Sequence, residues 1–291
     1  MADLFANTRP GKIVRFGGKP YELPALYYKD QSFALIYTAD RDAVQALLPS
    51  EKLKVLPAQR GRTMVGIAAF NYVDSTLGSY GEMGIVVPCR HGEMSIGNLL
   101  RGKRPLSGNL MAQLTVTSHP ARDVGKGEWG YPKFLGDIAF RSDAEAYEIE
   151  VGEAGTNILT MRVPKRAPLR GGKMPLATFS VLDGNLVHTV MHEQGEVRRA
   201  LFPKKASLKL GDHPVSKLIE QLDLSPVPAF SQYYLDRQMV LPAGEIVERG
   251  VRPLDGYQGG EQPGVHSLDE GFAQPPAPGT GKAEQIPLSQ I

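Results

Sequence analysis

Apolar residues along this chain come mostly in short runs and in alternation, with helical spacing confined to two segments. The runs SFALIY (32–37), KLKVLP (52–57) and TMVGIAAFNY (63–72) read as strands rich in Val, Ile and small residues. The pattern continues through YGEMGIVVP (80–88), LMAQLTV (110–116), 137–141, 146–151, 158–163, 176–182, 185–193 and 237–241. Turn residues separate these runs, as at Asp74–Gly78 and Asp183-Gly184. Helical spacing follows Thr38-Ala39-Asp40, where Val44, Leu47 and Leu48 share a face before Pro49. It recurs after Asp212-His213-Pro214, where Val215, Leu218, Ile219 and Leu222 do the same before Pro226. Strands this short and frequent, with few helices, predict an α+β fold that is mainly antiparallel β, a sheet or barrel.

Residues 1–24, rich in Gly, Pro and basic side chains, read as an extended N-terminal arm. Residues 25–250 carry the strands and form one domain. Residues 251–291, rich in Gly and Pro and poor in large apolar side chains, read as a mobile tail or a strap over a neighbour.

Composition narrows the possible partners. The chain has 291 residues, 42% hydrophobic and 22% charged, with a formal net charge of +2 and no basic run. A small-molecule ligand is therefore expected, with neither nucleic acid nor membrane as partner. The lone Cys89 makes no internal disulfide and suits a reducing compartment. No run approaches the ~18 apolar residues of a membrane span, and the N-terminus lacks a signal-like stretch, so a cytoplasmic location is expected.

The candidate chemistry sits in GEWGYPKF (127–134). Lys133 follows a proline and has Trp129, Tyr131 and Phe134 within four residues, an odd neighbourhood for a solvated charge. Only an unprotonated amine attacks a carbonyl, and apolar surroundings disfavour the ammonium form, so such a lysine is a candidate nucleophile. Glu82 enters an otherwise apolar strand and needs a partner if it points inward. His188 and His192 do not make a zinc helix: Thr189 follows the first, and four residues along a strand span about 13 Å. There is no Gly-x-Gly-x-x-Gly between strand and helix, no phosphate loop and no Gly-x-Ser-x-Gly elbow. Neither a metal nor a cofactor is expected.

Four blocks in this order, IYTADRDAVQALLPS, YGEMGIVVP, WGYPK and GDHPVSKLIEQL, resemble the acetoacetate decarboxylase family over roughly residues 20–247. The resemblance implies a β-barrel or cone with flanking helices over residues 25–250, homo-oligomeric assembly and a Schiff-base lysine. Lys133 falls at the position of that lysine and Glu82 at that of a pocket carboxylate, with Trp129, Tyr131 and Phe134 as substrate-binding neighbours. The implied activity is decarboxylation of a β-keto acid through a lysine imine. The alternatives are an aldolase-dehydratase joining pyruvate or a related keto acid to an aldehyde, and a non-catalytic small-acid binding protein. Several positions depart from the family pattern. Phe134 stands where a second lysine is usual, Glu128 is one residue too close to Trp129, and Tyr28-Lys29-Asp30-Gln31 lacks the expected arginine. A second strand carboxylate is also missing, with Asn71 the nearest polar residue. Phe134 is then expected to take over from the missing cation by drying the amine.

Overall fold

In the computed structural model the alternating strands close into a barrel. The structure describes residues 4–6, 8, 11–16, 19–94, 97, 100, 102, 104–171, 176–260 and the backbone of 266–268. The first strands are β1 (Lys12–Phe16), β2 (Lys19–Leu23), β3 (Ala25–Asp40), β4 (Leu53–Val55), β5 (Pro57–Gln59), β6 (Arg62–Ser75), β7 (Tyr80–His91) and β8 (Leu106–Val116). Next come β9 (Lys133–Leu135), β10 (Asp137–Ser142), β11 (Ala146–Glu153), β12 (Thr156–Pro164), β13 (Leu169–Gly171) and β14 (Leu176–Leu182). The chain ends with β15 (Asn185–Leu201), β16 (Ser207–Leu210), β17 (Phe230–Leu241), β18 (Glu245–Arg249) and β19 (His266–Leu268). The helices are α1 (Arg41–Ala46), α2 (His119–Trp129) and α3 (Pro214–Gln221).

Strands β7, β6, β3, β17, β15, β14 and β8 form a ring, closed because β8 pairs back onto β7. Neighbours are antiparallel except β14 and β8. A second sheet, ordered β16-β12-β11-β10-β19, covers the outside of the ring. The strand period of two sorts the side chains. Phe33, Leu35, Val65, Ile67, Met83 and Ile85 face outward and pack with Phe140, Ile149, Val151 and Met161. The intervening positions, among them Ala34, Met64, Ala68, Phe70, Glu82 and Val86, face the barrel interior. The main hydrophobic core thus lies between barrel and second sheet. The barrel interior is left for a cavity.

The fold is the mainly antiparallel α+β barrel that the alternation predicts, though the sequence pattern undersized β3, β15 and β17. Asp40 caps α1 by accepting from the Asp42 and Ala43 N–H groups. His213 caps α3 through Nδ1, which accepts from the Val215 N–H. Helix α2 is not foreseen by the hydrophobic pattern. It is the crossover that lets β9 run parallel to β8, a connection needing about a dozen residues.

The first strands and residues 251–260 are both tied to the rest of the fold. β1 and β2 form a hairpin against α2, with Lys12 Nζ 2.9 Å from Glu128. Residues 251–260, expected in a mobile tail, run back over β8 and β9: Tyr257 N–H donates to Gln113 Oε1 at 2.6 Å, and Gln113 Nε2 donates to the carbonyls of Tyr257 and Pro132. Glu153 accepts from the Tyr257 hydroxyl at 2.7 Å and the Gly260 N–H at 2.8 Å, and lies 2.9 Å from His213 Nε2. Burial opposes its ionisation, but these hydrogen bonds hold its carboxyl below the usual glutamate range. The remaining tail, 261–265 and 269–291, lies outside the described residues.

Candidate active site

Lys133 opens β9, a three-residue strand set beside the upper half of β8, where Leu114 pairs with Lys133. Lower down, Asn109 and Leu110 on β8 pair with β14 instead. β9 therefore fills a wedge where β14 leaves the ring. Tyr131 bridges the wedge, its hydroxyl 2.8 Å from Thr178 Oγ1 on β14. Gly130 ends α2 in the left-handed conformation (φ 65°), and a Cβ there would meet the Val181 carbonyl.

Glu82 lies on β7, two strands from β9. Neighbouring strands are about 4.8 Å apart, so an extended Lys and Glu span the gap across β8. Lys133 Nζ meets Glu82 Oε2 at 2.6 Å, with both residues only 5% exposed. The ammonium also sits 5.8 Å from the centre of the Tyr80 ring and 5.6 Å from that of Tyr131. Tyr27 and Tyr80 share a hydrogen bond of 2.9 Å, and Tyr72 packs on both rings. Burial pushes the phenols of Tyr27, Tyr72, Tyr80 and Tyr131 up, so all four stay neutral.

The structure brings Lys133, Glu82 and Tyr131 onto the wall of one cavity of about 580 Å³ inside the barrel. Trp129 is not on that wall. It backs Tyr131, stacked at 6.1 Å, and donates Nε1–H to the Pro242 carbonyl at 2.8 Å. Phe134 is also absent from the wall, which corrects two expectations. Successive residues of a strand point to opposite faces, so Phe134 turns outward, onto His213 at 6.2 Å and Tyr257 at 5.0 Å. The side chain at 134 thus lies on the opposite face of β9 from Lys133 and from the cavity, and a lysine there would point away from Lys133.

Arg237 was missed. It lies on β17, lines the same cavity, and is 3% exposed. Its Nε donates to both Asp30 carboxylate oxygens at 3.0 Å and its Nη1 to Glu193 Oε2 at 3.1 Å. Nη2 has no hydrogen-bond partner among the described residues. The guanidinium also lies over the Phe70 and Tyr234 rings. Burial works against its charge, but Asp30 and Glu193 hold its pKa well above the usual arginine value. Burial pushes Asp30 up to about 6, partly offset by Arg237. The stretch Tyr28–Gln31 has no arginine of its own, but its Asp30 holds Arg237 of another strand.

One glycine ties α2 to Lys133. A Cβ on Gly125 would lie 2.7 Å from the Lys133 side-chain carbons and 3.1 Å from Nζ. Gly125→Ala is expected to lower Tm, because the roughly 1 kcal/mol that alanine gains in a helix is outweighed by the cost, about 3–5 kcal/mol, of parting the buried amine from Glu82. It should also lower turnover on the order of 100-fold by pushing the amine off Glu82. Thermal melts beside kinetics check this, and unchanged turnover would show that the lysine tolerates the shift.

Among the described residues no three His, Cys, Asp or Glu side chains cluster as metal ligands, and no helix is long and apolar enough to cross a membrane. Residues 16–251 match the model of the acetoacetate decarboxylase family. An acetoacetate decarboxylase from Legionella pneumophila superposes with a TM-score of 0.61 at 19% identity, over 78% of this chain and 88% of that one. The enduracididine biosynthesis enzyme MppR, complexed with the condensation product of pyruvate and imidazole 4-carboxaldehyde, gives 0.56 at 14% identity over 77% and 89%. An acetoacetate decarboxylase-like enzyme from Sphingomonas wittichii gives 0.52 at 16% over 78% and 94%. No curated protein sequence matches.

Proposed function

The chain belongs to the acetoacetate decarboxylase family, and from that premise we propose that it is a Schiff-base-forming lyase that decarboxylates a β-keto acid through Lys133. The observation that carries the proposal is the buried Lys133–Glu82 pair, facing an aromatic-lined cavity that also holds a spare arginine donor. Glu82 takes a proton from the ammonium, and the freed Nζ attacks the ketone carbon. Glu82 returns that proton to the departing hydroxyl, water leaves, and a protonated imine remains. Breaking the bond to the carboxylate releases CO2, and its electron pair moves through the new enamine to nitrogen. Protonation at carbon and hydrolysis then free the ketone and the lysine. Arg237 Nη2 is the group we assign to orient the substrate carboxylate.

Retained carboxylate is the second reading. The same imine, losing a proton from carbon, is an enamine able to attack an aldehyde, and a cavity of about 580 Å³ has room for both reactants. MppR, with its pyruvate-derived condensation product, favours keeping this alternative. CO2 release from β-keto acids, measured against consumption of an aldehyde with pyruvate, separates the two.

The Arg237 assignment makes a pH prediction. Above about pH 6 Asp30 is ionised and competes for the guanidinium; below it Asp30 is neutral. Carboxylate binding should therefore tighten as pH falls through about 6, and Asp30→Asn should remove that limb. Equilibrium titration of a non-reactive carboxylate from pH 5 to 8 reads this out, and a flat wild-type profile would remove Arg237 from the site.

A further inference from the structure

The cavity at Lys133 greatly exceeds what a small keto acid needs. Its volume of about 580 Å³ lies in the range that serves drug-sized ligands. A four-carbon keto acid would fill roughly a fifth of it. Charge is confined to part of the wall: among the described lining residues only Lys133, Glu82 and Arg237 are charged.

Moving from Glu82 along the interior faces, three adjacent strands change together. β7 continues through Gly84, Val86 and Pro88, β6 from Phe70 through Ala68, Gly66 and Met64, and β3 from Ser32 through Ala34 and Ile36. Small residues come first and apolar ones follow, over a path of about 20 Å along β7. The interior-facing Met64, Val86, Pro88 and Phe230 are only half-buried, whereas the outward Val65, Ile67, Ile85 and Val87 are fully buried. The barrel's own side chains do not fill this arm. An apolar void forgoes packing that an apolar ligand would restore. Four methionines, Met64, Met111, Met191 and Met239, line the cavity and suit a flexible guest.

We infer that the arm bounded by Gly66, Ala68, Met64, Val86, Pro88 and Phe230 receives the hydrocarbon tail of the substrate, so that the preferred keto acid carries an alkyl chain of roughly six to ten carbons in place of a methyl group. The inference rests on Lys133 forming the imine, because that bond fixes which end of the substrate lies at the charged wall.

Gly66 provides the test. A Cβ there would meet only ordinary contacts, 3.7 Å from Val86 and 3.9 Å from Ile36, so Gly66→Leu grows into the arm without displacing the wall. Borohydride trapping on Lys133 is measured with 3-oxobutanoate, 3-oxohexanoate, 3-oxooctanoate and 3-oxodecanoate. The half-saturating concentration should fall about fourfold per added methylene until the arm is filled. Gly66→Leu should lose at least tenfold for 3-oxodecanoate while 3-oxobutanoate changes by less than twofold. A flat or rising series, or a variant with unchanged discrimination, overturns the inference. Calorimetry with decanoate, which forms no imine, keeps the two proposals apart. Decanoate binding to the wild type but not to Gly66→Leu supports the arm even if no acid is trapped, and no decanoate binding to either, with no trapping, overturns it.

Discussion

Incubation with a keto acid and borohydride is expected to leave the reduced adduct on Lys133, and Lys133→Ala to remove both adduct and turnover, the latter by on the order of 10⁴-fold or more. Among the described residues lining the cavity it is the only amine. Glu82 at 2.6 Å is both its counter-ion and a proton acceptor already in reach. Glu82→Gln should keep a trappable lysine while slowing imine formation, because an amide does not take the proton. Leaving a buried ammonium unpaired costs about 3–5 kcal/mol, so each variant needs a thermal melt beside its kinetics. Peptide mapping decides the matter: an adduct on another lysine, or none with any keto acid, would end the imine mechanism.

Arg237→Met is expected to be the most damaging substitution for the fold. It leaves Asp30 and Glu193, both almost wholly enclosed, without their counter-ion. Such a loss typically costs about 3–5 kcal/mol, or roughly 6–20 °C in Tm for a domain of this size. Acid should soften the loss. Asp30 in the intact protein has a pKa raised to about 6, above its unfolded value of 3.8, so it favours the fold below about pH 4 and loses that contribution as pH rises through about 6. Without Arg237 this pKa should rise further, making the variant's deficit smaller at pH 5 than at pH 8. Combining Arg237→Met with Asp30→Asn and Glu193→Gln should recover much of the stability but none of the carboxylate affinity. Recovery of both would show that the triad only holds the barrel together.

Two features of the sequence explain what was legible. Strands β6 and β7 stand out as apolar runs because one face packs in the core and the other lines a largely apolar cavity, and Glu82 is conspicuous as a charge in such a run. Helix α2 was hidden because Gly125 and Gly127 occupy its interior, where they make room for Lys133 and Phe16. Its local signals were present all the same: Ser118 as N-cap, Pro120 in the first turn and Gly130 at the C-terminus. Arg237 was hidden by geometry. The register of β17 against β3 shifts on both sides of it, which breaks the period of two that marks inward positions. Its partner Asp30 lies on β3, near the other end of the domain, and no local window contains both. Phe134 neighbours Lys133 in sequence but faces the other way, because successive residues of a strand point to opposite faces.

The wedge that carries Lys133 divides the labour between two kinds of backbone. Lys133 hangs from three residues anchored by α2, Tyr131 and Gln113, while the walls of the proposed tail site belong to the long strands of the ring. Edits to the ring away from Glu82 should change which molecules are accepted, and edits to the wedge should change how fast any of them react. A panel of variants would then fall into two kinetic classes, and a library confined to interior positions of β3, β6 and β7 other than Glu82 could retune selectivity while Lys133 stays in register.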